Sequence, residues 1–394
     1  MKVLMLGWEF PPHITGGLGT ACEGLLHGFA NSCKDVQITF VLPALSGSEQ
    51  TGPWRLIDAS ADRAGRRPAA AGARHQGTPN PSSYGVVAEQ VAQYAEDVAR
   101  SQYRFGHNFD VIHAHDWLTI PAAVGLKAAT GKPLVVHVHS TVFDRNESPD
   151  EHVLGIEKAG LAAADQVIAV SHYTKELLVK RFLLQPAKIR VVHNGWIPSA
   201  WPASEYALRP PLVCFLGRLT YQKGPLVFLH AARRVLDRMP MARFVMAGDG
   251  DLRAGCESLA RQLRIDQFVE FPGFLDRSAG AVLLGRSAAF VMPSMSEPFG
   301  IVALEAAAAG VPVILSRRSG AAEVLSAAVL VDPLDEQAIA DAVCGILQER
   351  RQAADLAKRA RLEATGMRWE TAAEQIANLY AELKGPASCS QKAA

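Results

Sequence analysis

No two cysteines in this chain are spaced as a CxxC pair. The six that occur, Cys22, Cys33, Cys214, Cys256, Cys344 and Cys389, match no zinc framework. Most lie in apolar surroundings, which argues for reduced thiols and against a disulfide scaffold. No uncharged apolar run is long enough to cross a bilayer. The opening MKVLMLGWEF lacks the form of a signal peptide, because Glu9 interrupts a short apolar stretch. A soluble, cytoplasmic protein is the expectation. Neither sign of charge dominates: 40 Lys and Arg stand against 39 Asp and Glu. That balance gives no electrostatic case for a nucleic-acid partner or for steady attachment to a membrane. Disorder is excluded as well, since 49% of the residues are apolar.

What the chain does have is length and alternation. Its 394 residues exceed one ordinary core and suit two α/β domains. Short apolar runs recur: KVLML (2–6), VQITFVL (36–42), VIHAH (111–115), LVVHVHS (134–140), QVIAVS (166–171) and IRVVHN (189–194). A second series follows: LVCFLG (212–217), RFVMAG (243–248), FVEFPG (268–273), AAFVMP (288–293), VPVILS (311–316) and AVLVD (328–332). Helical periodicity fills the gaps, as with Leu18, Cys22, Leu25, Leu26 and Phe29 on one face. Such alternation predicts parallel sheets covered by helices on both sides. Between the series, at about 197–211, Pro198, Pro202, Pro210 and Pro211 crowd together, as suits an interdomain hinge.

The expected architecture is therefore α/β: two Rossmann-like, doubly wound parallel-sheet domains facing a central cleft. Residues 1–200 form the first and 201–366 the second. A helix over 367–384 is expected to pack back on the first domain, with Trp369, Ala372, Ile376, Leu379 and Tyr380 on one side. Residues 385–394 read as a frayed tail. Residues 44–82, rich in Ala, Gly, Ser, Pro and Arg, read as a long exposed loop inside the first domain.

Several polar residues fall where such sheets bind ligands, at the carboxyl ends of strands. Gly16, Gly17 and Gly19 occupy the turn from the first strand into its helix, where backbone N–H groups meet anions or simply make a turn. His113 and His115 share one face of a strand, as do His137 and His139. Such pairs line a crevice or ligate a metal. No carboxylate cluster of ligand spacing accompanies them, so no metal is expected. Asp249 and Asp251 read as a strand-end turn rather than a metal triplet. Arg218 and Lys223 follow a first strand and would meet a diphosphate, unless they only solvate a loop. Glu297 stands in a loop. Glu305 lies eight residues on, in a helix read as starting near Phe299 with Pro298 at its first position. Eight residues is just over two turns, so the carboxylates point to nearly one side. Ala303, Ala306, Ala307 and Ala309 crowd Glu305, and sugar or ribose hydroxyls would partner it there. The plainer alternative is a helix cap and a surface residue.

The segments WEFPPHITGGLG, HVHSTVFDR, GRLTYQKG and EPFGIVALEA, in that order, resemble glycosyltransferase family 4 and the related glycogen and starch synthases. The resemblance runs from residue 2 to about 383, broken only by 44–82. It implies the GT-B fold and a retaining, metal-independent transfer of sugar from a nucleoside-diphosphate sugar to a hydroxyl acceptor, with no cofactor. His139, Arg218, Lys223 and Glu297 become the catalytic set. Gly16, Gly17, Phe299, Gly300, Ile301 and Glu305 become donor contacts, with Glu305 on the ribose. His115, Asp116, Asp144 and Arg145 fall to the cleft and its acceptor side, and Glu323 matches a downstream segment. Bacterial glycogen synthases carry Lys-Thr-Gly-Gly-Leu at the first turn, where this chain has Ile14 in place of the lysine. UDP-glucose, ADP-glucose and GDP-mannose are all admissible donors, and the acceptor is a saccharide or a lipid-linked one. KELLVKRFLL (175–184) mixes basic and apolar residues, which leaves peripheral membrane contact open beside ordinary packing. The rival readings are a nucleotide-sugar epimerase, a phosphorylase, for whose pyridoxal cofactor no lysine site is evident, and a non-catalytic nucleotide-sugar binder or scaffold. An epimerase would not be expected to carry both the basic and the acidic pair.

Overall fold

The structure, a computed structural model, describes all residues except 15, 63–83, 106–107, 146–147, 199–210 and 385–394. Each of the twelve apolar runs carries one strand, and one further strand lies outside them. In the first lobe β1 (Lys2–Leu6), β2 (Gln37–Leu42), β3 (Arg55–Asp58), β4 (Val111–His115), β5 (Leu134–Val138), β6 (Gln166–Ala169) and β7 (Ile189–Val191) make one sheet. Its order is β3-β2-β1-β4-β5-β6-β7, and every pairing is parallel. In the second lobe β8 (Leu212–Leu216), β9 (Arg243–Ala247), β10 (Val269–Gly273), β11 (Ala289–Met292), β12 (Val313–Ser316) and β13 (Val329–Val331) make another. It runs β10-β9-β8-β11-β12-β13, again parallel throughout. The strands β4, β5 and β11 are buried along their whole length, as continuous apolar strands between two helical layers must be. In each sheet the winding direction reverses once, between β1 and β4 and between β8 and β11. Loops diverge there and leave a crevice at the carboxyl edge.

The strand β3 corrects the reading of 44–82 as an exposed loop. Arg55–Asp58 adds an edge strand to β2, and Trp54, Ile57 and Ala59 are buried beneath it. Residues 63–82 of that segment lie outside the described residues, as do 199–210 of the proline-rich seam and the tail after 384. The segment 175–184 belongs mostly to the helix His172–Phe182. Leu178 is buried, Arg181 lies over the Phe143 ring at 5.4 Å, and Lys180 pairs with Glu176 in solvent. It is a packed helix with a solvated face. Among the described residues no helix is long and apolar enough to cross a membrane.

The last helix, Trp369–Lys384, packs on the first, Gly17–Ser32. Two glycines of the first helix make the approach possible. A Cβ at Gly24 would stand 2.1 Å from the Trp369 ring, and one at Gly28 would stand 2.3 Å from the Trp369 carbonyl oxygen. Tyr380 stacks on Phe29 at 6.0 Å, and its hydroxyl hydrogen-bonds His113 on β4. Asn31 donates to Glu370, Lys384 pairs with Asp110, and Arg190 pairs with Glu382 at the rim. Gly28→Ala should therefore destabilise the protein by about 1–3 kcal/mol, because its clash is with backbone that cannot swing aside. Thermal or urea unfolding of the variant measures it, and an unchanged midpoint would contradict this packing.

Candidate active site

The second lobe supplies the basic and acidic pairs. After β8 the chain turns through Arg218 to Lys223 and Gly224. Gly224 has φ 68°, and a Cβ there would lie 2.2 Å from the Pro293 carbonyl. Only glycine lets this turn rest against the end of β11. The Met295 N–H donates to the Gln222 carbonyl (2.8 Å) and fastens the two loops. Lys223 Nζ and Glu297 Oε2, 74 residues apart in sequence, consequently meet at 2.5 Å. Glu297 is 5% exposed, and Ser294 Oγ also donates to it (3.2 Å). Its backbone is held too: its N–H donates to the Arg318 carbonyl, and its carbonyl accepts from the Gly320 N–H. A carboxylate so buried depends on its cation. An ammonium has three donors, so this bond leaves capacity for phosphate oxygens. Arg218 is half-buried and reaches Gln222 Oε1 at 3.4 Å.

The AGDGD turn supports the Arg218 loop from below. Gly248 (φ 136°) and Gly250 (φ 159°) pass so close that a Cβ would strike the carbonyls of Gly217 and Leu219. Asp249 accepts from the Gly250 N–H, which makes the Asp249–Asp251 triplet a tight turn.

The helix carrying Glu305 begins at Ile301, not near Phe299. Gly300, with φ 101°, caps it and ends the helical path upstream. Pro298 therefore lies in the loop, where its carbonyl accepts from Ser171 Oγ (2.6 Å) and Thr174 Oγ1 (3.3 Å) of the other lobe. The Phe299 ring is buried and packs 5.9 Å from His193, while its carbonyl accepts from the Ala321 N–H. Gly300 and Ile301 stand at the helix mouth, where the first N–H groups have no partner inside the helix. Glu305, half-buried further along, has its pKa pushed up by burial to about 7, against the lowering pull of Arg277. Arg277 opens the helix Arg277–Arg286 and makes a two-pronged bond to buried Glu23 on the first lobe.

In the first lobe, Gly16 caps the helix that Gly17 begins, and a Cβ at Gly17 would meet nothing within 4 Å. Glu9 Oε1 accepts from the Gly19 N–H (3.0 Å) and steadies this first turn. His139 lies just past β5 with its ring neutral, since burial holds its pKa down to about 3. Three buried carboxylates take the backbone N–H groups around it. Asp116 accepts from His139 (2.6 Å) and Ser140 (3.2 Å), Asp144 from Thr141 (2.7 Å), and Glu157 from Val142 (3.0 Å). Burial raises the pKa of Asp116 to about 6 and of Glu157 to about 8. Arg145 donates to Ser140 Oγ and lies 3.8 Å from Asp116.

The structure places Asp116, Asp144 and Arg145, expected at the cleft and its acceptor side, as buried side chains. Asp116, Asp144 and Arg145 are 3, 3 and 4% exposed, and they shape the His139 loop from beneath. His115 is fully buried, with its Nδ1 2.9 Å from His139 Nε2. Asp144 does a second thing. Its Oδ1 accepts from Ser296 Oγ (2.5 Å), next to Glu297, and so ties the His139 loop to the Glu297 loop across the lobes. Tyr173 OH lies 2.9 Å from the same Ser296 hydroxyl. Glu323 accepts from the His172 and Tyr173 N–H groups and pairs with His193, also across the lobes. Sequence reasoning missed Ser294, Ser296, Glu157, Arg277 and Glu23. Each is a single residue with no spacing partner, and only the tertiary fold gives it one.

Two facing α/β lobes, with these residues gathered at their strand ends, define a GT-B glycosyltransferase. The model of glycosyltransferase family 4 matches residues 15–199, and that of glycosyl transferases group 1 matches 202–363. An uncharacterized glycosyltransferase of Methanocaldococcus jannaschii is 30% identical over 96% of this chain and 98% of its own length. A glycogen synthase of Mycobacterium tuberculosis is 30% identical over 98% of this chain and 95% of its own. The solved sucrose-phosphate synthase of Thermosynechococcus elongatus superposes with a TM-score of 0.78 at 23% identity, covering 97% of this chain and 99% of that one. The chain belongs to glycosyltransferase family 4. Lys223→Ala and Glu297→Ala should each lower kcat by roughly 100- to 1,000-fold with the fold retained. Steady-state transfer assays beside circular dichroism check this, and wild-type turnover in either variant would remove that residue from the site.

Proposed function

We propose that this enzyme transfers a hexosyl group from a nucleoside-diphosphate sugar to a saccharide hydroxyl, with retention at the anomeric carbon and without a metal in the reaction. The observation that carries this reading is the Lys223–Glu297 pair, held at the crevice by Gly224 and Ser294 and joined to the His139 loop through Ser296 and Asp144. A cation and a carboxylate so placed suit the two ends of a sugar-phosphate bond. Lys223 and Arg218 face the charge growing on the departing diphosphate, and Glu297 faces sugar hydroxyls. Among the described residues no side chain stands out as a covalent nucleophile. The acceptor oxygen bonds to the anomeric carbon on the face the diphosphate leaves. The carbon–phosphate-oxygen bond breaks, and that phosphate oxygen takes the acceptor proton. Orientation and charge stabilisation supply the rate. A glucosyl donor with an α-glucan acceptor is the finer reading, supported by the glycogen synthase among the relatives and opposed by Ile14.

Two measurements test this. Incubation with UDP-glucose, ADP-glucose or GDP-mannose and a glucan panel should give an α-linked product by NMR, at an undiminished rate in EDTA. A β-linked product, or hydrolysis alone, would overturn the mechanism. Glu305 should also impose a pH dependence on donor binding. Its pKa is near 7, so acidification protonates it and removes an acceptor for ribose hydroxyls. Affinity for the nucleoside diphosphate should fall from about pH 8 to about pH 6 in calorimetry, and Glu305→Gln should flatten that profile. An unchanged slope in the variant would take Glu305 off the ribose.

A further inference from the structure

Transfer has no use for most of the histidines buried in the first sheet. Among the described residues, His113, His115 and His137 offer ring nitrogens that all lie within 4.8 Å of one another. The sheet creates this group. His115 on β4 sits opposite His137 on β5, and His113 precedes His115 by two residues on the same face. The three ring centroids are 4.4, 5.3 and 5.4 Å apart. An ion bonded to three imidazoles at ~2.1 Å and tetrahedral angles spaces their centroids about 5 Å apart.

For His113 and His115 the hydrogen bonds divide as they do in metal sites. His113 Nδ1 contacts Tyr380 OH at 2.5 Å, and His115 Nδ1 contacts His139 Nε2 at 2.9 Å. The Nε2 atoms of both rings, and both nitrogens of His137, are buried without a partner. A ligating histidine typically gives one nitrogen to the ion and anchors the other on a neighbour. Burial also keeps these rings neutral, with His113 held down to about 3 and the other two well below their ordinary value. Their lone pairs are thus available. Several unpaired polar atoms in a closed core are costly, and a shared ion would take up one nitrogen of each ring and so lower that cost.

We propose that His113, His115 and His137 bind one transition-metal ion of the kind that favours imidazole, for which Zn2+ is the probe. Its role is structural: it ties β4 to β5, with Tyr380 of the last helix anchoring one ligand. The site is closed within the lobe, so the ion enters during folding, and brief chelation of the folded enzyme leaves it in place.

The test uses the full chain, produced in medium with and without added Zn2+, desalted, and assayed by plasma mass spectrometry. Wild type should carry one equivalent and melt several degrees higher than the zinc-depleted preparation. His137→Val should carry background zinc and lose that difference, while keeping its affinity for nucleoside diphosphates. His137→Cys, which restores a ligand, should recover the ion. Wild type with only background metal, or His137→Val with the full complement, would overturn the proposal. If His137→Val fails to fold, the zinc content and melting shift of wild type and His137→Cys decide. Zinc content and melting point decide this proposal, and donor turnover, read separately, decides the reading of the transfer site.

Discussion

A parallel strand hands every loop that follows it to the same edge of its sheet. Both lobes obey that constraint, and the candidate site follows from it. The turns after β1, β5, β8 and β11 all emerge on carboxyl edges, where Gly16, His139, Arg218 with Lys223, and Glu297 are found. Close backbone approach then turns a shared edge into a contact. Gly224 against Pro293, and Gly248 and Gly250 against the Arg218 loop, are approaches that a single methyl group would block. The chemistry of the second lobe thus rests on the absence of side chains as much as on their presence.

The first lobe holds its half of the site differently. Its His139 loop is suspended on three buried carboxylates that accept consecutive backbone N–H groups. Burying Asp116, Asp144 and Glu157 raises their pKa values, which is a cost in stability. What it provides is a loop fixed before substrate arrives. Asp144 extends that order to the other lobe through Ser296, and Glu23 with Arg277 makes a second crossing. The lobes therefore meet through polar groups with defined geometry, alongside apolar contact such as the buried Phe299 ring against His193.

Much of this was legible in the residues. The twelve strands read from apolar runs are all present, because strands buried on both faces leave an unbroken apolar signature. The strand β3 was not legible. Its four residues, RLID, sit inside Ala- and Gly-rich chain, and an edge strand with one neighbour needs no strong pattern. Arg218, Lys223, Glu297 and Glu305 stand out by spacing, yet the Lys223–Glu297 contact is a fact of folding. The helix start was misread because Pro298 suits a first helical position, whereas the positive φ of Gly300 sets the boundary. Asp116, Asp144 and Arg145 are expected at the cleft on the resemblance alone. No local pattern distinguishes a carboxylate that greets a ligand from one that serves its own backbone.

The packing of Trp369 against Gly24 and Gly28 has a consequence for how the lobes can be separated. The chain crosses between them twice, so the first lobe is completed by residues that follow the second. A fragment ending near residue 198 would leave a hydrophobic seat vacant beside Phe29, and His113 without its tyrosine. Dissecting this molecule into autonomous halves requires relocating the terminal helix, for instance by circular permutation, and not merely cutting at the seam.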